Sequence, residues 1–263
     1  MAPPIIHTVS EFIELTFSTE FSVGLEDAPV RPWYLGQASE DDSILPPLYR
    51  SNIDPALERE LLREFRLRAA EFIPPGGIPD EMWPILGHQQ GLPTRIQEWY
   101  GNPLVALFLA VESMSASNGQ VWVFNPWYFN ESAARLAMIP MTNSPLFRDE
   151  YCLKLDDPNA SPVPAAEAPM CFKPYRNIRP QSQMDSYFVV HGHSNVPLDE
   201  FRLFLRRPET YLKKIIIAGE SKKHLRKELH LLGVNHATLM PGGGSVAKAV
   251  AYAMSRDFLE TDI

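Results

Sequence analysis

The sequence predicts an α+β fold, a single domain over residues 1–263 with its core at about 28–255, in which a mixed, mainly antiparallel central sheet packs on a buried central helix. Three observations predict it. Short aromatic or β-branched runs, Trp33 to Gln37, Gln120 to Phe124 and Ile215-Ile216-Ile217, read as strands of a covered sheet. The stretch Leu104 to Val111 is apolar on all sides, which marks a helix surrounded by protein. The 25 Pro residues among 263 imply many rigid, irregular connections between short elements, which suits a loop-rich α+β fold better than a helical bundle.

Each element follows from local signals. Ser10 before Glu11-Phe12-Ile13-Glu14-Leu15 reads as the cap of an opening amphipathic helix. The aromatic density of Arg31 to Gln37 predicts a strand. Asp54-Pro55 starts the clearest helix, since Asp caps and Pro is preorganised for the first helical position. Its core face is read from Leu57, Leu61, Leu62, Phe65, Ala69, Phe72 and Ile73, with its four Arg and Glu58, Glu60 and Glu64 on a solvated face. Pro74-Pro75-Gly76-Gly77 ends it, and Asn102-Pro103 opens the central helix, expected to run to about Met114. The Pro/Ala/Asp/Ser stretch 156–169 predicts a surface excursion. Strands are expected around Cys171 to Tyr175, Tyr187 to His191 and Lys213 to Ala218. Ser221 caps a helix carrying Leu225, Leu229 and Leu232 and closed by Gly233, and a last helix from about Ser245 carries Val246, Val250, Ala253 and Met254. No internal repeat is present, which argues against solenoids and propellers.

Composition narrows the function classes. A formal charge of −8 argues against a broad electrostatic grip on nucleic acid, though it leaves room for a local basic pocket. The start of the chain has no basic segment followed by an apolar one, and no apolar run approaches the roughly 20 residues of a membrane span. The expectation is a cytoplasmic protein without a membrane partner. Two cysteines, Cys152 and Cys171, without metal-like spacing, are expected to be reduced and structural.

The most informative stretch is Gly87-His88-Gln89-Gln90-Gly91-Leu92-Pro93-Thr94-Arg95, just before the central helix. Gly91 permits a backbone conformation that other residues resist, Pro93 stiffens the turn, and Thr94 and Arg95 supply a hydroxyl and a fixed cation. That is how a ligand-facing loop is built. Weaker signals are His191-Gly192-His193, short of a metal-ligand set, and Pro241-Gly242-Gly243-Gly244-Ser245, which lacks the Lys of a phosphate loop. No metal site is expected. Trp122, Trp127, Tyr128 and Phe129 offer an aromatic patch, read either as core or as a partner surface.

The order of these motifs resembles the FRG domain, a mostly prokaryotic family named for an aromatic-Arg-Gly signature. The opening strand and following segment of that family look like Trp33-Tyr34-Leu35-Gly36-Gln37 and Leu45-Pro46-Pro47-Leu48-Tyr49-Arg50. A Glu-Phe-x-x-Arg-Ala helix is similar to Glu64-Phe65-Arg66-Leu67-Arg68-Ala69, and the most specific block falls on His88 to Trp99. Downstream, Arg179 to Tyr187 and Gly233 to Pro241 match in order. The departures are Leu35 for the signature Arg, Gln89 for His, Glu98 for Asp and Asp185 for Gly. Leu cannot bind a phosphate, and Gln has no proton to exchange near neutral pH.

The resemblance implies a pocket lined by Tyr34, Gln37, Arg50, Arg66, Arg95 and Arg179, with His88, Thr94 and Gln183 as the nearest candidates for catalytic groups. Several guanidinium forks suit a phosphorylated or nucleotide-type ligand, NAD among the candidates. The family context is prokaryotic toxin or phage-defence systems. If the protein is an enzyme, the reading is an ADP-ribosyltransferase-like or other nucleotide-handling activity, with Thr94 near the Ser and Gln183 near the Glu of Arg-Ser-Glu transferases. The alternative is a catalytically inactive module that binds a partner protein.

Overall fold

The computed structural model describes residues 2–18, 31–73, 77–113, 116–175, 184–201, 211–240 and 242–261. Among the described residues seven strands form one sheet: β1 (Ile5–Ile6), β2 (Trp33–Gln37), β3 (Ile96–Tyr100), β4 (Gly119–Phe124), β5 (Met170–Phe172), β6 (Ser186–Val190) and β7 (Leu212–Ile217), in the spatial order β1-β7-β4-β2-β3-β6-β5. Every pairing is antiparallel except β1 with β7, so the sheet is mixed and mainly antiparallel, and the fold is α+β. The helices are α1 (Val9–Thr16), α2 (Pro47–Arg50), α3 (Glu58–Ala69), α4 (Trp83–Gln89), α5 (Pro103–Glu112), α6 (Pro126–Ala134), α7 (Pro145–Glu150), α8 (Lys222–Leu231), α9 (His236–Leu239), α10 (Gly243–Ala253) and α11 (Arg256–Leu259).

Strand alternation sorts the sheet into two faces. Tyr34, Tyr100, Val121, Val123, Ile215 and Ile217 pack on α5 and on Leu225 and Leu229 of α8. Trp33, Leu35, Trp99, Phe124, Val189 and Cys171 form the opposite cluster with Phe129 of α6. α5 is the buried central helix. The Asn102 side chain accepts from the Leu104 amide at 2.9 Å, Pro103 occupies the first turn, and α5 crosses β2 where a Cβ on Gly36 would overlap the Ala106 carbonyl. The helix ends at Glu112, and Met114, its expected end, lies outside the described residues.

Several expectations are corrected. α1 is capped by Thr8, not Ser10, because Thr8 and Glu11 complete a reciprocal capping box two residues earlier. Asp54-Pro55 starts a short 3-10 turn that runs into α3. Leu57 and Phe72 are exposed instead of core, whereas Glu58, read as solvated, is 2% exposed. The Ser221 side chain makes no cap bond, since a 3-10 turn over Gly219–Ser221 precedes α8. Val246, Val250 and Met254 point outward from α10, which packs through Ala249 and Tyr252 instead. The aromatic segment after β4 is a helix, α6, entered through Asn125 and Pro126, with Phe129 in the core and Trp127 and Tyr128 half-buried. β1, β3 and α4 were not expected from the sequence.

Candidate functional site

The stretch singled out in the sequence becomes α4, a tight turn and β3. Gly91 has φ +85°, the left-handed region that favours glycine, and the Leu92 amide returns to the Gly87 carbonyl at 2.9 Å, closing α4. The turn delivers Thr94 and Arg95 into the interior. Thr94 is fully buried, its Oγ1 accepts from the Ile96 amide at 3.4 Å, and its carbonyl accepts from the Leu48 amide at 3.1 Å.

Arg95 is 2% exposed and meets Glu58 at the start of α3. Glu58 Oε1 accepts from the Arg95 backbone amide at 3.1 Å, and Oε2 lies 3.0 Å from Arg95 Nε, a close charge contact whose N–H is not aligned for a hydrogen bond. Arg95 Nη2 donates to the Tyr151 carbonyl at 2.5 Å. Nη1 is buried without a hydrogen-bond partner among the described residues. Burial pushes the Glu58 carboxyl above its ordinary value, opposed by the Arg95 charge and by the Arg95 amide.

His191 completes the cluster. Its amide donates to the Arg95 carbonyl at 3.0 Å, its side chain is fully buried, and neither ring nitrogen has a geometrically sound hydrogen bond among the described residues. Burial pushes its pKa down to about 3, partly offset by a backbone group of Ser194 and reinforced by the Arg95 charge, so the imidazole is neutral near pH 7. Tyr49 of α2 lies beside it, with ring centroids 5.9 Å apart, and its hydroxyl donates to the Gly192 carbonyl at 2.6 Å. Burial raises Tyr49 to about 12, with Arg95 opposing and Glu58 adding.

The Pro-rich excursion closes over this cluster. Gly192 sits so near the Ala166 and Glu167 carbonyls that a Cβ would overlap them. The excursion is tied to α3 by Arg59 Nη1, which donates to the Ala160 carbonyl at 2.5 Å, and by an ion pair between Arg66 and Asp156.

The other expected site residues are dispersed. Gln37 is an internal connector, its Oε1 accepting from Gln120 Nε2 at 2.9 Å and Trp122 Nε1 at 3.2 Å. Arg66 is neutralised by Asp80 at 3.3 Å and by Asp156. Tyr34 is buried against the α5 face, and burial raises its pKa to about 12. Arg50 is exposed at the end of α2, without an ion pair or side-chain hydrogen bond among the described residues. Arg179 and Gln183 lie outside the described residues.

His88 belongs to a second cluster. Its Nε2 lies 3.6 Å from Glu98 Oε2, and its Nδ1 is buried without a partner among the described residues. Glu98 neighbours Tyr100, whose pKa is raised well above its ordinary value by burial first and then by Glu98. No hydrogen bond or ion pair among the described residues joins His88 to Arg95.

The sequence singles out Arg95 but not the residues that surround it. Glu58 was hidden in a run of alternating Arg and Glu whose spacing is ordinary for a solvated helix. His191 was visible only as half of a weak metal pattern, and His193 beside it is exposed. Among the described residues no group of three or more His, Cys, Asp or Glu is placed to hold a metal ion, and no helix is long and apolar enough to cross a membrane.

The fold and this charged junction define a mixed-sheet α+β protein whose polar centre is assembled from chain segments far apart in sequence. Residues 31–119 match the family model of the FRG domain, the family that the motifs of the sequence resemble. The match takes in Tyr49, Arg50, Glu58 and Arg95, while Tyr151 and His191 come from beyond it. No curated protein and no solved structure matches the chain.

Proposed function

We propose that this chain binds a phosphorylated or nucleotide-type small molecule beside the junction of Tyr49, Arg95 and His191, with Arg50 exposed at the end of the same short helix as Tyr49. One observation carries the reading. Three separate segments, Leu48-Tyr49-Arg50, Thr94-Arg95 and His191-Gly192, are hydrogen-bonded together around a buried guanidinium and an imidazole, and Arg95 Nη1 and both His191 ring nitrogens have no hydrogen-bond partner among the described residues. Leaving such groups unsatisfied costs about 1–3 kcal/mol each, so their retention favours a site that something else completes. Glu58 cancels most of the Arg95 charge, and attraction for an anion therefore falls to Arg50 at the surface.

Binding without turnover fits the residues best. Leu35, where the signature of the family carries Arg, is buried among Trp33, Trp99 and Phe124 and supplies no donor. The cytoplasmic setting and a role in prokaryotic conflict enter the proposal through the family resemblance. A protein partner is the second reading, favoured by the outward apolar residues Val246, Val250 and Met254 on α10.

The test is a thermal-shift screen with NAD, nucleotides, nucleotide sugars and inorganic phosphate, run on the wild-type chain and on Arg50→Ala. A compound that binds the native state raises Tm with concentration. The expected result is a rise with one class of phosphorylated compound that Arg50→Ala removes without changing the basal Tm. A rise that survives in Arg50→Ala, or no rise with any compound, rejects the site.

A further inference from the structure

A small cavity of about 10 Å³ lies between α5, α8, α9 and α10. Its lining includes Phe108, Arg226, His230, Asn235, His236 and Tyr252. Three of its polar atoms, Arg226 Nε, His230 Nδ1 and Tyr252 Oη, are buried with no hydrogen-bond partner among the described residues. The Tyr252 residue is 9% exposed. A space of this size holds one particle about as large as a water molecule.

The charge balance decides what kind of particle. The Arg226 guanidinium lies 4.1 Å from the Tyr252 ring centroid and its Nη1 donates to the Glu112 backbone carbonyl at 3.4 Å, but among the described residues it makes no ion pair with a carboxylate. The two nearby acids are engaged elsewhere: Glu112 lies 2.6 Å from His236 Nε2, and Asp257 pairs with Lys223 at 2.7 Å. No Asp or Glu lines the cavity. Burial and the Arg226 charge both push His230 down, which keeps its imidazole neutral and able to offer an N–H at Nδ1. A phenol O–H, a guanidinium N–H and an imidazole N–H thus line one cavity, beside a positive charge that no carboxylate pairs among the described residues. A water molecule would complete the hydrogen bonds, whereas an anion would complete them and also pair the half-buried Arg226 charge.

We propose that this cavity is a binding site for one small inorganic monoanion of about the size of chloride, held by Arg226, His230 and Tyr252. It lies outside the matched FRG segment apart from Phe108, and it stands independently of the ligand site around Arg95.

The experiment compares the purified chain in sodium chloride and in sodium gluconate at equal ionic strength, since gluconate is far too large for the cavity. Chloride is expected to raise Tm in a saturating manner, by about 3 °C at ten times its dissociation constant. Arg226→Gln should lose the shift. Should that variant fail to fold, Tyr252→Phe, which keeps the stacked ring and removes only the hydroxyl, should weaken it. Crystals soaked in sodium bromide should show an anomalous peak within hydrogen-bond distance of Arg226 Nε and Tyr252 Oη. Equal Tm in the two salts, a shift that both variants retain, or a cavity holding water alone in the bromide crystals would overturn the proposal.

Discussion

Glu58 and Arg95 are both 2% exposed, so removing either side chain strands the other as an unpaired buried charge. Glu58→Ala and Arg95→Ala should each cost about 3–5 kcal/mol, whereas a double replacement by Leu and Met should recover much of the loss. Urea denaturation of the three variants measures this, and equal losses for the single and double variants would show that the pair does not act as a unit. His191 adds a pH dependence whose sign is fixed by its depressed pKa. The unfolded imidazole binds a proton below about 6.5 while the folded one resists until about 3. The unfolded state therefore carries more protons between these values, and the His191 contribution to stability, complete above pH 6.5, falls with pH by at most about 1.4 kcal/mol per unit. Glu58, with its raised carboxyl, contributes the opposite slope at the acidic end. Stability measured from pH 7 to pH 4.5 should decline less steeply in His191→Gln than in the wild-type chain, and parallel curves would show that His191 is not the source.

Helix α5 and strand β2 touch through backbone at Gly36, where the Ala106 carbonyl occupies the space a Cβ would take. Gly36→Ala should cost about 3 kcal/mol or more, because neither the strand nor the central helix can withdraw without losing its core contacts. Circular dichroism melting of this variant reads the effect, and a Tm within a degree of the wild-type value would mean that the two elements move apart freely. The Pro-rich excursion is held differently. Its ion pair from Asp156 to Arg66 involves a largely exposed carboxylate, and Arg66 also pairs with the half-buried Asp80, so Arg66→Ala should leave global stability little changed. The same variant should speed limited proteolysis within residues 157–163, the exposed part of the excursion, and unchanged cleavage would show that Arg59 and the Leu153 and Leu155 anchors suffice.

Across the whole molecule, both thiols report on opening of the fold. Burial raises Cys152 to about 12 and Cys171 well above its ordinary value, so neither supplies thiolate near neutral pH. Labelling by a disulfide reagent at pH 8 should be slow in the native protein and fast in denaturant. Rapid native labelling of Cys171, buried on the sheet face opposite α5, would mean that the Phe129 layer opens easily. The outward face of α10 makes the contrasting prediction: Val250→Lys should leave Tm nearly unchanged, since Val250 is exposed.

The sequence by itself determined what nearest neighbours encode. Asn102-Pro103 with the all-apolar run behind it specified α5, β-branched and aromatic runs specified β2, β4 and β7, and Gly91 marked the turn before Arg95. These signals are local, because caps, turn glycines and strand residues act within a few positions of themselves. Only the tertiary structure decided that Glu58 leaves the row of exposed charges to meet Arg95, that His191 lies beside them, and that Val246, Val250 and Met254 have no core to enter. Helical spacing places residues on a face without saying which face is covered. Pairings between distant segments depend on strand register and on how α3 and the Pro-rich excursion pack across the sheet, and no short window of sequence carries that information.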